Sequence, residues 1–598
     1  MATFIADLHI HSRFSRATSP QLVPEYLDYW AAIKGIKVVG TGDFTHPGWL
    51  AELKEKLVPE GNGLFRLKKE AAIAPFRPGN ETRFLLTAEI SNIYKRDGKV
   101  RKVHHVVLAP GFEEAERINS RLRQLGGNLT SDGRPILGLD SRDLLEIVLQ
   151  ASPENLLIPA HIWTPWFSML GSRSGFDSPE ECFGDLLPHI VAIETGLSTD
   201  APMNWLCSFL DNMALVSNSD AHSPDRLGRN ANLFSGELSY HGIVGALRHP
   251  GHDGFEGTID LFPQEGKYYY DGHRKCNLCW NPAETLKNRE VCPVCGKPVT
   301  VGVMNRVIRL SDREDPQERK LKKPFRSIIP LKELLAEILQ TGESSRKVET
   351  EYFQLIGKLG TELDILLNVP ESSVSAVSPA LGEAIRRMRL REVYVREGFD
   401  GEYGRITVFA PGEVQQFSAP PSLFGAGKRI APPKEHPLIA FDLHGIDQLR
   451  KEAAAAEPEA AYNAAGPGAS TTELNAEQQA AVEYDEGPAL LLAGPGTGKT
   501  KTLTAKIVRL LTSGKALPGQ ILALTFTGKA ALEMRERIEK MLPPEIQARQ
   551  LTVSTFHAFG YRILKEHHTR FNRKPHFGII DEPEKRLLVQ QVAGLTER

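Results

Sequence analysis

The chain has 598 residues, which is too long for one hydrophobic core and predicts several domains. Hydrophobic residues make up 41% and charged residues 24% of it, as in ordinary globular proteins, and the formal net charge of -2 excludes a globally basic field for nucleic acid. Neither a signal peptide nor an apolar run of roughly 20 residues is recognisable, so we expect a cytoplasmic protein without membrane attachment. The oligomeric state is not predicted.

The first apolar run, Phe4 to Ala6, leads directly into Asp7-Leu8-His9-Ile10-His11. Residues two apart in a strand point to the same side, so His9 and His11 are predicted to project toward one point. Neutral imidazole is a common metal ligand. The pair predicts half of a metal site, provided that the chain returns further ligands to the same place.

Short β-rich runs alternate with helical stretches up to about residue 260, which predicts a parallel sheet, open or closed into a barrel. Most of these runs finish in Asp, Glu or His, where barrels carry their active residues. The expected metal ligands are His9, His11, Asp43, Glu89, His105, His161, Asp220 and His222. Imidazole mixed with carboxylate favours zinc, manganese or iron over calcium. Only one of the adjacent His104 and His105 can face inward, and we expect His105 to do so.

This region resembles the PHP (polymerase and histidinol phosphatase) family. The matching residues are Asp7 to Ser12, Thr41 to Asp43, Glu89, His105, His161, Glu194 and Asp220 to His222. The resemblance implies an α/β fold, a distorted (β/α)7 barrel over residues 1–260, with two or three divalent metals (Zn, Mn or Mg) for phosphoester hydrolysis. We expect Asp220, Glu89 and Glu194 to be the catalytic carboxylates, with metal-activated hydroxide attacking phosphorus. The family often has His in place of Asp43.

Four cysteines at metal-binding spacing predict a zinc ribbon over residues 261–303. They are Cys276, Cys279, Cys292 and Cys295. Two such pairs match a tetrahedral structural zinc site, which leaves no open position for catalysis. Cys182 and Cys207 are isolated, and the whole pattern favours a reducing compartment over a disulfide framework. The ribbon is either only a structural element or also a contact for nucleic acid.

Residues 304–410 predict a small α+β companion domain with a basic run that contains Lys322 and Lys323. The order of barrel, ribbon and companion domain resembles the endonuclease Q family. That resemblance implies nicking of DNA on the 5′ side of deaminated bases (uracil, hypoxanthine, xanthine) and of abasic sites. Trp163, Trp166 and Arg173, together with the two lysines, are the candidate DNA contacts in this part of the chain.

Residues 411–471 are rich in alanine, proline and glycine and predict a flexible linker. The final segment, residues 472–598, predicts a truncated P-loop NTPase domain. Its expected nucleotide contacts are Gln478, Gly494, Gly496, Gly498, Lys499 and Thr500. The glycines allow backbone amides to wrap phosphates, Lys499 reaches the outer phosphates, and Thr500 reaches magnesium.

The surroundings of this loop resemble superfamily 1 helicases of the UvrD/Rep type. Thr527, Thr555 and His557 fall in segments that look like the single-strand contact motifs of that family. The Walker B acidic pair of the family has no counterpart in this sequence. We therefore expect Mg-ATP binding, while hydrolysis and unwinding stay in doubt.

Three hypotheses remain open at this point. The leading one is a metal-dependent DNA repair endonuclease whose partners are damaged DNA, ATP and replication or repair factors. A second is a PHP-type phosphatase or exonuclease on the same barrel. A third, non-enzymatic one is a DNA-binding scaffold for a helicase.

Overall fold

The structure is a computed structural model with two compact units, Met1–Glu459 and Ala460–Arg598. It describes residues 3–73, 81–249, 251, 254–418, 433–437, 445–446, 474, 476–485, 487–489, 491, 499–525, 528–543, 546 and 551–570. Over these ranges every helix is too short or too polar to cross a lipid bilayer.

Strands and helices alternate along the first unit. Its strands are β1 (Thr3–Asp7), β2 (Val38–Gly40), β3 (Leu57–Pro59), β4 (Phe65–Leu67), β5 (Arg83–Arg96), β6 (Lys99–Ala109), β7 (Ile136–Leu137), β8 (Leu156–Pro159), β9 (Ala192–Glu194), β10 (Ala214–Val216), β11 (Ala231–Ser235), β12 (Phe255–Leu261), β13 (Asp271–His273), β14 (Leu278–Trp280), β15 (Phe325–Ile328), β16 (Tyr394–Arg396) and β17 (Arg405–Thr407). Its helices are α1 (Pro24–Lys34), α2 (Pro47–Lys56), α3 (Phe112–Gln124), α4 (Ser141–Ala151), α5 (Pro179–Phe183), α6 (Ala201–Trp205), α7 (Tyr240–Arg248), α8 (Pro282–Lys287), α9 (Val303–Leu310), α10 (Leu331–Leu339), α11 (Arg346–Leu359), α12 (Glu362–Leu367), α13 (Glu371–Val377), α14 (Pro379–Arg389) and α15 (Gln415–Ser418).

The central sheet is mixed rather than all-parallel. Strands β1, β2 and β5 pair in parallel, as the sequence predicts, and so do β9 and β10. In contrast, β11 and β12 pair antiparallel beside β1, and β6 runs antiparallel to both β5 and β8. The prediction of a parallel sheet is therefore correct only for part of the strands.

The long β5–β6 hairpin explains part of this difference. Asp97 and Gly98 both have positive φ angles, 52° and 73°, which is the backbone of a type I′ turn. Such a turn matches the twist of two antiparallel strands, and Asp-Gly is a favoured sequence for it. The hairpin carries Glu89 in the middle of β5 instead of at a strand end, with His104 and His105 in the middle of β6.

Strands from the mixed sheet and from the separate β9–β10 pair enclose one apolar core. Ala6 of β1, Val106 of β6, Ile158 of β8, Ala192 of β9 and Val216 of β10 are all buried in it. Because the apolar faces of these strands meet in one core, their ends and the loops that follow them lie close together. The predicted ligands are in or near these segments.

The segment that follows the sheet is attached to it directly. β15, within the predicted companion domain, pairs in parallel with β12. The predicted helices at Leu331–Leu339 and within Arg346–Leu359 are present. Helix α12 is held against α1 by a buried ion pair in which Lys34 Nζ donates to Glu362 Oε2 at 2.9 Å. This ion pair joins the predicted companion domain to α1, near the start of the chain.

The second unit contains a parallel strand pair flanked by helices. Its elements are α16 (Ala476–Glu483), α17 (Lys499–Thr512), β18 (Leu522–Thr525), α18 (Gly528–Met541), β19 (Thr552–Thr555) and α19 (Phe556–Glu566). Ile507, Met534, Ile538 and Val553 form its apolar core. The helix after the predicted nucleotide loop begins at Lys499, as expected for a loop that places phosphates at a helix N-terminus.

Candidate metal centre

The first and last predicted ligand pairs are brought together by a bridge between their segments. Ile10 pairs with Ala221 in a parallel bridge, and the Asp220 amide donates to the His9 carbonyl at 2.9 Å. Asp220 has a φ of 48°, a conformation that is uncommon for residues other than glycine. Asp43 and His161 also have positive φ angles, 50° and 30°. Such backbone strain often occurs at functional sites.

Four side chains meet at the centre of this arrangement. Ligand atoms of His9, His11, Glu89 and Asp220 all lie within 4.8 Å of one another. His11 Nε2 is 3.0 Å from Asp220 Oδ1 and 3.3 Å from Glu89 Oε2. His9, His11 and Glu89 are at most 1% exposed, whereas the Asp220 side chain is 28% exposed, so the group is open to solvent on the Asp220 side. The structure thus places these four of the predicted ligands next to one another.

A second group shares Glu89 with the first. It consists of Glu89, His104 and His161, again with ligand atoms within 4.8 Å. His161 Nε2 is 3.3 Å from Glu89 Oε1, and His104 Nδ1 is 2.5 Å from the same oxygen. Glu89 therefore lies between two sets of imidazoles, which is the arrangement expected of a carboxylate that bridges two ions.

The choice of His105 over His104 is corrected by the strand register. Ser91 pairs with His104 across the hairpin, and residues two apart share a face, so His104 lies on the same face as Glu89. His105 points the other way, with its Nε2 2.9 Å from Ser141 Oγ and its ring 5.8 Å from that of Phe183. His105 is thus a core residue. His104, instead of His105, lies with Glu89 in the ligand group.

Two predicted residues stand behind the histidines instead of among the grouped ligands. Glu194 Oε2 is 2.9 Å from His9 Nδ1, and Asp43 Oδ1 is 3.4 Å from His11 Nδ1. Asp43 is itself held by the hydroxyl of Ser12 at 2.6 Å. A carboxylate on one ring nitrogen orients the opposite nitrogen, the arrangement usual behind metal-bound histidine.

Burial and neighbouring charges act against each other on the residues of this centre. Asp220 and Asp43 outweigh burial and raise the pKa of His11 to about 9, and Arg134 outweighs burial and holds the pKa of Glu89 well below its ordinary range. At His104 burial prevails and lowers the pKa to about 4, so its ring is neutral. Glu89 is therefore ionised, and His104 has the neutral form that a metal ligand requires.

Sequence reasoning missed Arg134, whose guanidinium contacts the shared ligand Glu89. Its Nη1 donates to Glu89 Oε2 at 3.0 Å, and its side chain is 28% exposed. No spacing rule points to an arginine in the Asp132-Gly133-Arg134 loop. His222 lies at the edge of the cluster: its ring packs 4.6 Å from that of His11, outside the two ligand groups, and is 39% exposed.

The ribbon segment, residues 261–303, also gathers a ligand set, and it differs from the predicted one. Ligand atoms of His273, Cys276, Cys292 and Cys295 lie within 4.8 Å of one another. His273 Nδ1 is 3.5 Å from Cys295 Sγ. Cys279 is outside this group, on the β14 strand that pairs with β13. The missed signal is His273-x2-Cys276, which has the same spacing as a cysteine pair.

The candidate DNA contacts have different positions. Trp163 is buried and donates from its indole Nε1 to Asn204 at 2.7 Å, so it is a core residue and the prediction of a DNA contact fails there. Trp166 is 38% exposed, and its ring lies 5.7 Å from that of Tyr268. Arg173 is exposed and donates to the Val299 carbonyl at 3.2 Å, which ties this loop to the ribbon.

Lys322 and Lys323 are only half-buried, and Lys322 Nζ donates to Gln317 at 2.8 Å. In the second unit, Gln478 lies on α16, and Thr555 caps α19 by accepting from the Ala558 amide at 3.1 Å. Lys499 and Thr500 begin α17. Gly494, Gly496, Gly498 and Thr527 lie outside the described residues, as does the side chain of His557.

Comparison with known proteins first identifies the classes of protein that this chain resembles. Solved structures similar to this chain are nucleases that act on DNA lesions, and a UvrD/REP helicase N-terminal domain model matches residues 474–597. The nuclease in both of these solved structures is endonuclease Q. The lesion-specific endonuclease PfuEndoQ from Pyrococcus furiosus is 28% identical, with a TM-score of 0.60 over 69% of this chain and 97% of that one.

A second solved structure, endonuclease Q in complex with a 27-mer duplex that has an abasic lesion at the active site, is also 28% identical with a TM-score of 0.60. It covers 70% of this chain and 98% of its own. The predicted resemblance to endonuclease Q, joined to the N-terminal part of a UvrD/Rep-like helicase, is thereby confirmed.

Curated relatives match separate parts of the chain. An uncharacterized protein MJ0043 from Methanocaldococcus jannaschii is 32% identical over 43% of this chain, and the MJ0043 C-terminal domain model matches residues 330–392. The ATP-dependent DNA helicase PcrA from Leuconostoc citreum is 44% identical over 20% of this chain. The chain spans 32% and 16% of the length of these two relatives.

Proposed function

We propose that this chain is a metal-dependent DNA repair endonuclease that nicks DNA on the 5′ side of deaminated bases or abasic sites. The observation that carries the proposal is the cluster of the buried His9, His11 and Glu89 with the half-buried Asp220, which shares Glu89 with a second ligand group. The likeness to endonuclease Q, including its complex with an abasic duplex, supports a DNA repair endonuclease.

The residues of the cluster fit a divalent cation. Nε2 of His9 is buried, and among the residues that the structure describes it has no hydrogen-bond partner. It lies 3.6 Å from Glu89 Oε2 and 3.9 Å from Asp220 Oδ1, too far for hydrogen bonds. Zinc, manganese or magnesium ions, if held by the two groups, would supply an acidified water and charge neutralisation for hydrolysis of a phosphodiester.

The remaining residues of the cluster orient these ligands and bind the substrate phosphate. Glu194 and Asp43 hold Nδ1 of His9 and His11, which directs each Nε2 toward the centre. Arg134 reaches Glu89 from a partly exposed position, from which a guanidinium also pairs well with a phosphate oxygen. In this proposal Arg134 binds the scissile phosphate beside the cluster, and the cut leaves a 3′ hydroxyl.

An exposed aromatic and basic surface supports DNA as the substrate. Trp166 follows the His161 ligand on the same loop and packs against Tyr268. Lys267 Nζ lies 5.6 Å from the centre of the Tyr268 ring and 5.9 Å from that of Tyr403. Aromatic rings stack on bases and ammonium groups neutralise phosphates, so this surface suits a distorted DNA strand. A small phosphate ester has no use for it.

The finer architecture and the role of the second unit are part of the proposal. The shared core of the sheet and of the β9–β10 pair supports the distorted barrel of the PHP family for residues 1–260, followed by a zinc ribbon. The match to a UvrD/REP helicase N-terminal domain supports binding of Mg-ATP and single-stranded DNA by residues 472–598.

The test is a nicking assay on labelled duplexes that contain one abasic site, one uracil or one hypoxanthine, each with manganese or magnesium. A phosphatase substrate and an undamaged duplex are incubated in parallel. We expect a single cut on the 5′ side of the lesion that disappears with chelator and in Asp220→Ala. Phosphate release or end degradation without a lesion-directed cut would favour the phosphatase or exonuclease alternative. Retarded DNA without any cut would favour a scaffold.

A further inference from the structure

The loop that carries the ligand His161 is long and has no regular structure. Residues 160–178, between β8 and α5, form neither helix nor strand. Loops of this length without secondary structure are uncommon in compact domains, and most of them are functional or disordered. The backbone of this loop is instead held by hydrogen bonds, some of which come from a helix far along the chain.

Arg306 of α9 binds the loop at two buried points. Its Nε donates to the Leu170 carbonyl at 2.8 Å, and its Nη2 donates to the Phe176 carbonyl at 2.8 Å. Leu170 and Phe176 are at most 1% exposed, so water does not replace these bonds easily. The Arg306 side chain is itself only 12% exposed, and it also pairs with Asp177 Oδ1 at 2.6 Å. The rigid fork of a guanidinium suits several fixed acceptors at once.

Leu170 passes this restraint to the ligand. Its amide donates to the carbonyl of Ile162, the residue directly after His161, at 2.8 Å. Ser168, also in the loop, donates from its hydroxyl to the His161 carbonyl at 2.7 Å. Two hydrogen bonds therefore join the guanidinium of Arg306 to the backbone beside the ligand.

The backbone of His161 needs such support. Its φ is 30°, and strained conformations of this kind persist where the surrounding structure imposes them. In this conformation its Nε2 lies 3.3 Å from Glu89 Oε1, within the group that also contains His104. A ligand that is already held in place loses less conformational freedom when it binds an ion.

We propose that Arg306 is a positioning residue for the group of Glu89, His104 and His161. By holding the loop at Leu170 and Phe176, it keeps His161 directed at Glu89 and increases the affinity of this group for a divalent cation. Arg306 contacts none of the three ligands and acts only through the loop. The inference rests on the proposed function, because it takes His161 as a metal ligand.

The test is a calorimetric titration of the full chain with manganese, after chelation of the cluster. We expect Arg306→Ala to weaken binding by the group with His161 about tenfold, the lower end of the loss seen when a residue behind a ligand is removed. The group with His9 and His11 is expected to keep its affinity. Arg306→Lys keeps the charge and the aliphatic stem, so it protects against loss of the fold. One ammonium does not reproduce the fork that bonds both carbonyls, so this variant is also expected to bind manganese more weakly.

Hydrogen exchange of the protein without manganese gives a second readout that is independent of activity. The Leu170 amide is expected to exchange faster in Arg306→Ala and Arg306→Lys than in the wild type, because the turn that holds it opens more often. Unchanged exchange together with unchanged manganese affinity in a folded variant would overturn the inference.

Two matched controls separate this role from general packing. Asp177→Asn removes the ion pair of Arg306 but leaves both carbonyl bonds, so wild-type manganese affinity is expected. Arg309→Ala removes another arginine of α9, one that bonds Asn305 and Glu290 instead of the loop, and is expected to keep that affinity as well. Equal weakening in Arg309→Ala and Arg306→Ala would overturn the specific role of Arg306.

A double substitution tests whether Arg306 acts through His161. Once His161→Ala has removed the ligand, adding Arg306→Ala is expected to cost no further manganese affinity. A further loss in the double variant would show that Arg306 acts by another route and would overturn the proposal. If the wild type binds manganese but does not nick DNA, the proposed function fails and this inference stands. If the wild type binds no manganese, both fail.

Discussion

The metal cluster around Glu89 and the ligand set of the ribbon are built in opposite ways. The cluster draws its ligands from His9 to Asp220, and most of them are almost fully buried. The ribbon draws its ligands from His273 to Cys295, and Cys295 is exposed. In the cluster the fold holds the ligands in place, whereas in the ribbon a few residues of local chain surround the expected metal.

This difference indicates different work. A site that the surrounding sheet already shapes can lose one ligand and keep its fold, because the core around β1, β5 and β9 is independent of the metal. A ribbon has little core of its own, here Trp280, Cys292 and Val299, so metal binding contributes directly to its folding. Substitutions in the cluster should therefore reduce activity, and those in the ribbon should reduce stability.

Glu89→Gln is the substitution with the largest expected effect. Glu89 belongs both to the group with His9 and to the group with His104, so loss of its charge is expected to weaken metal binding by both groups. We expect the nicking rate at an abasic site to fall at least about 100-fold, the upper end of the loss seen when a residue behind a ligand is removed. The thermal unfolding temperature is expected to change little.

The matched control is Glu146→Gln, an exposed carboxylate on α4, which should nick at the wild-type rate. Full activity of Glu89→Gln at saturating manganese would contradict the cluster as the active centre. If Glu89→Gln lost both its activity and its folded state, the proposed difference between a cluster needed for activity and a ribbon needed for stability would be contradicted.

His104→Ala and His105→Ala sharpen the contrast within one strand. His104 faces Glu89, so its loss is expected to lower nicking about tenfold or more and to raise the manganese concentration needed. His105 bonds to Ser141 in the core, so its loss is expected to cost about 1–3 kcal/mol of stability and leave the metal dependence intact. Manganese titration and thermal unfolding of both variants are the measurements. The reverse pattern would restore the original choice of His105.

That choice shows what the sequence could and could not predict. The recurrence of Asp, Glu and His after short apolar runs predicted a shared site for His9, His11, Glu89, His161 and Asp220. In the structure these side chains lie in two ligand groups that share Glu89. Deciding which histidine of β6 faces Glu89 requires the register of the β5–β6 hairpin. That register depends on the Asp97-Gly98 turn. Reading that turn first would have paired Ser91 with His104 and placed His104, rather than His105, on the face of Glu89.

Arg134 was beyond sequence reasoning for another reason. An arginine in a loop is usually solvated surface, and only the folded chain shows that this one reaches Glu89, which is 45 residues away in the sequence. Periodicity and motif spacing describe local structure, so they do not predict such meetings.

Cys292→Ser tests the other side of the comparison. Its thiol is buried among the ribbon ligands, and its loss is expected to release the ribbon zinc and lower the unfolding temperature. Zinc content and thermal unfolding are the measurements. Because His273 joins the ligand group and Cys279 does not, we expect His273→Ala to lose zinc as well, while Cys279→Ser keeps it. Zinc loss in Cys279→Ser, with zinc retained in His273→Ala, would instead support the site of four cysteines that the sequence predicts.

Trp166→Ala has the smallest expected effect, and it examines the place where the two regions meet. Trp166 lies on the loop after the His161 ligand, and its ring contacts Tyr268, which precedes the ribbon cysteines. Loss of one stacking ring is expected to weaken binding of the abasic duplex about tenfold, within the range of 1–3 kcal/mol per stacked base. Metal dependence and zinc content should not change, because neither ligand group contains this residue. Trp163→Phe is the contrasting variant: its indole bonds to Asn204 inside the core, so it should cost stability and leave DNA affinity as in the wild type. If both tryptophans altered only stability, the exposed ring would be a packing element, and the cluster and the ribbon would have no shared DNA surface at this point.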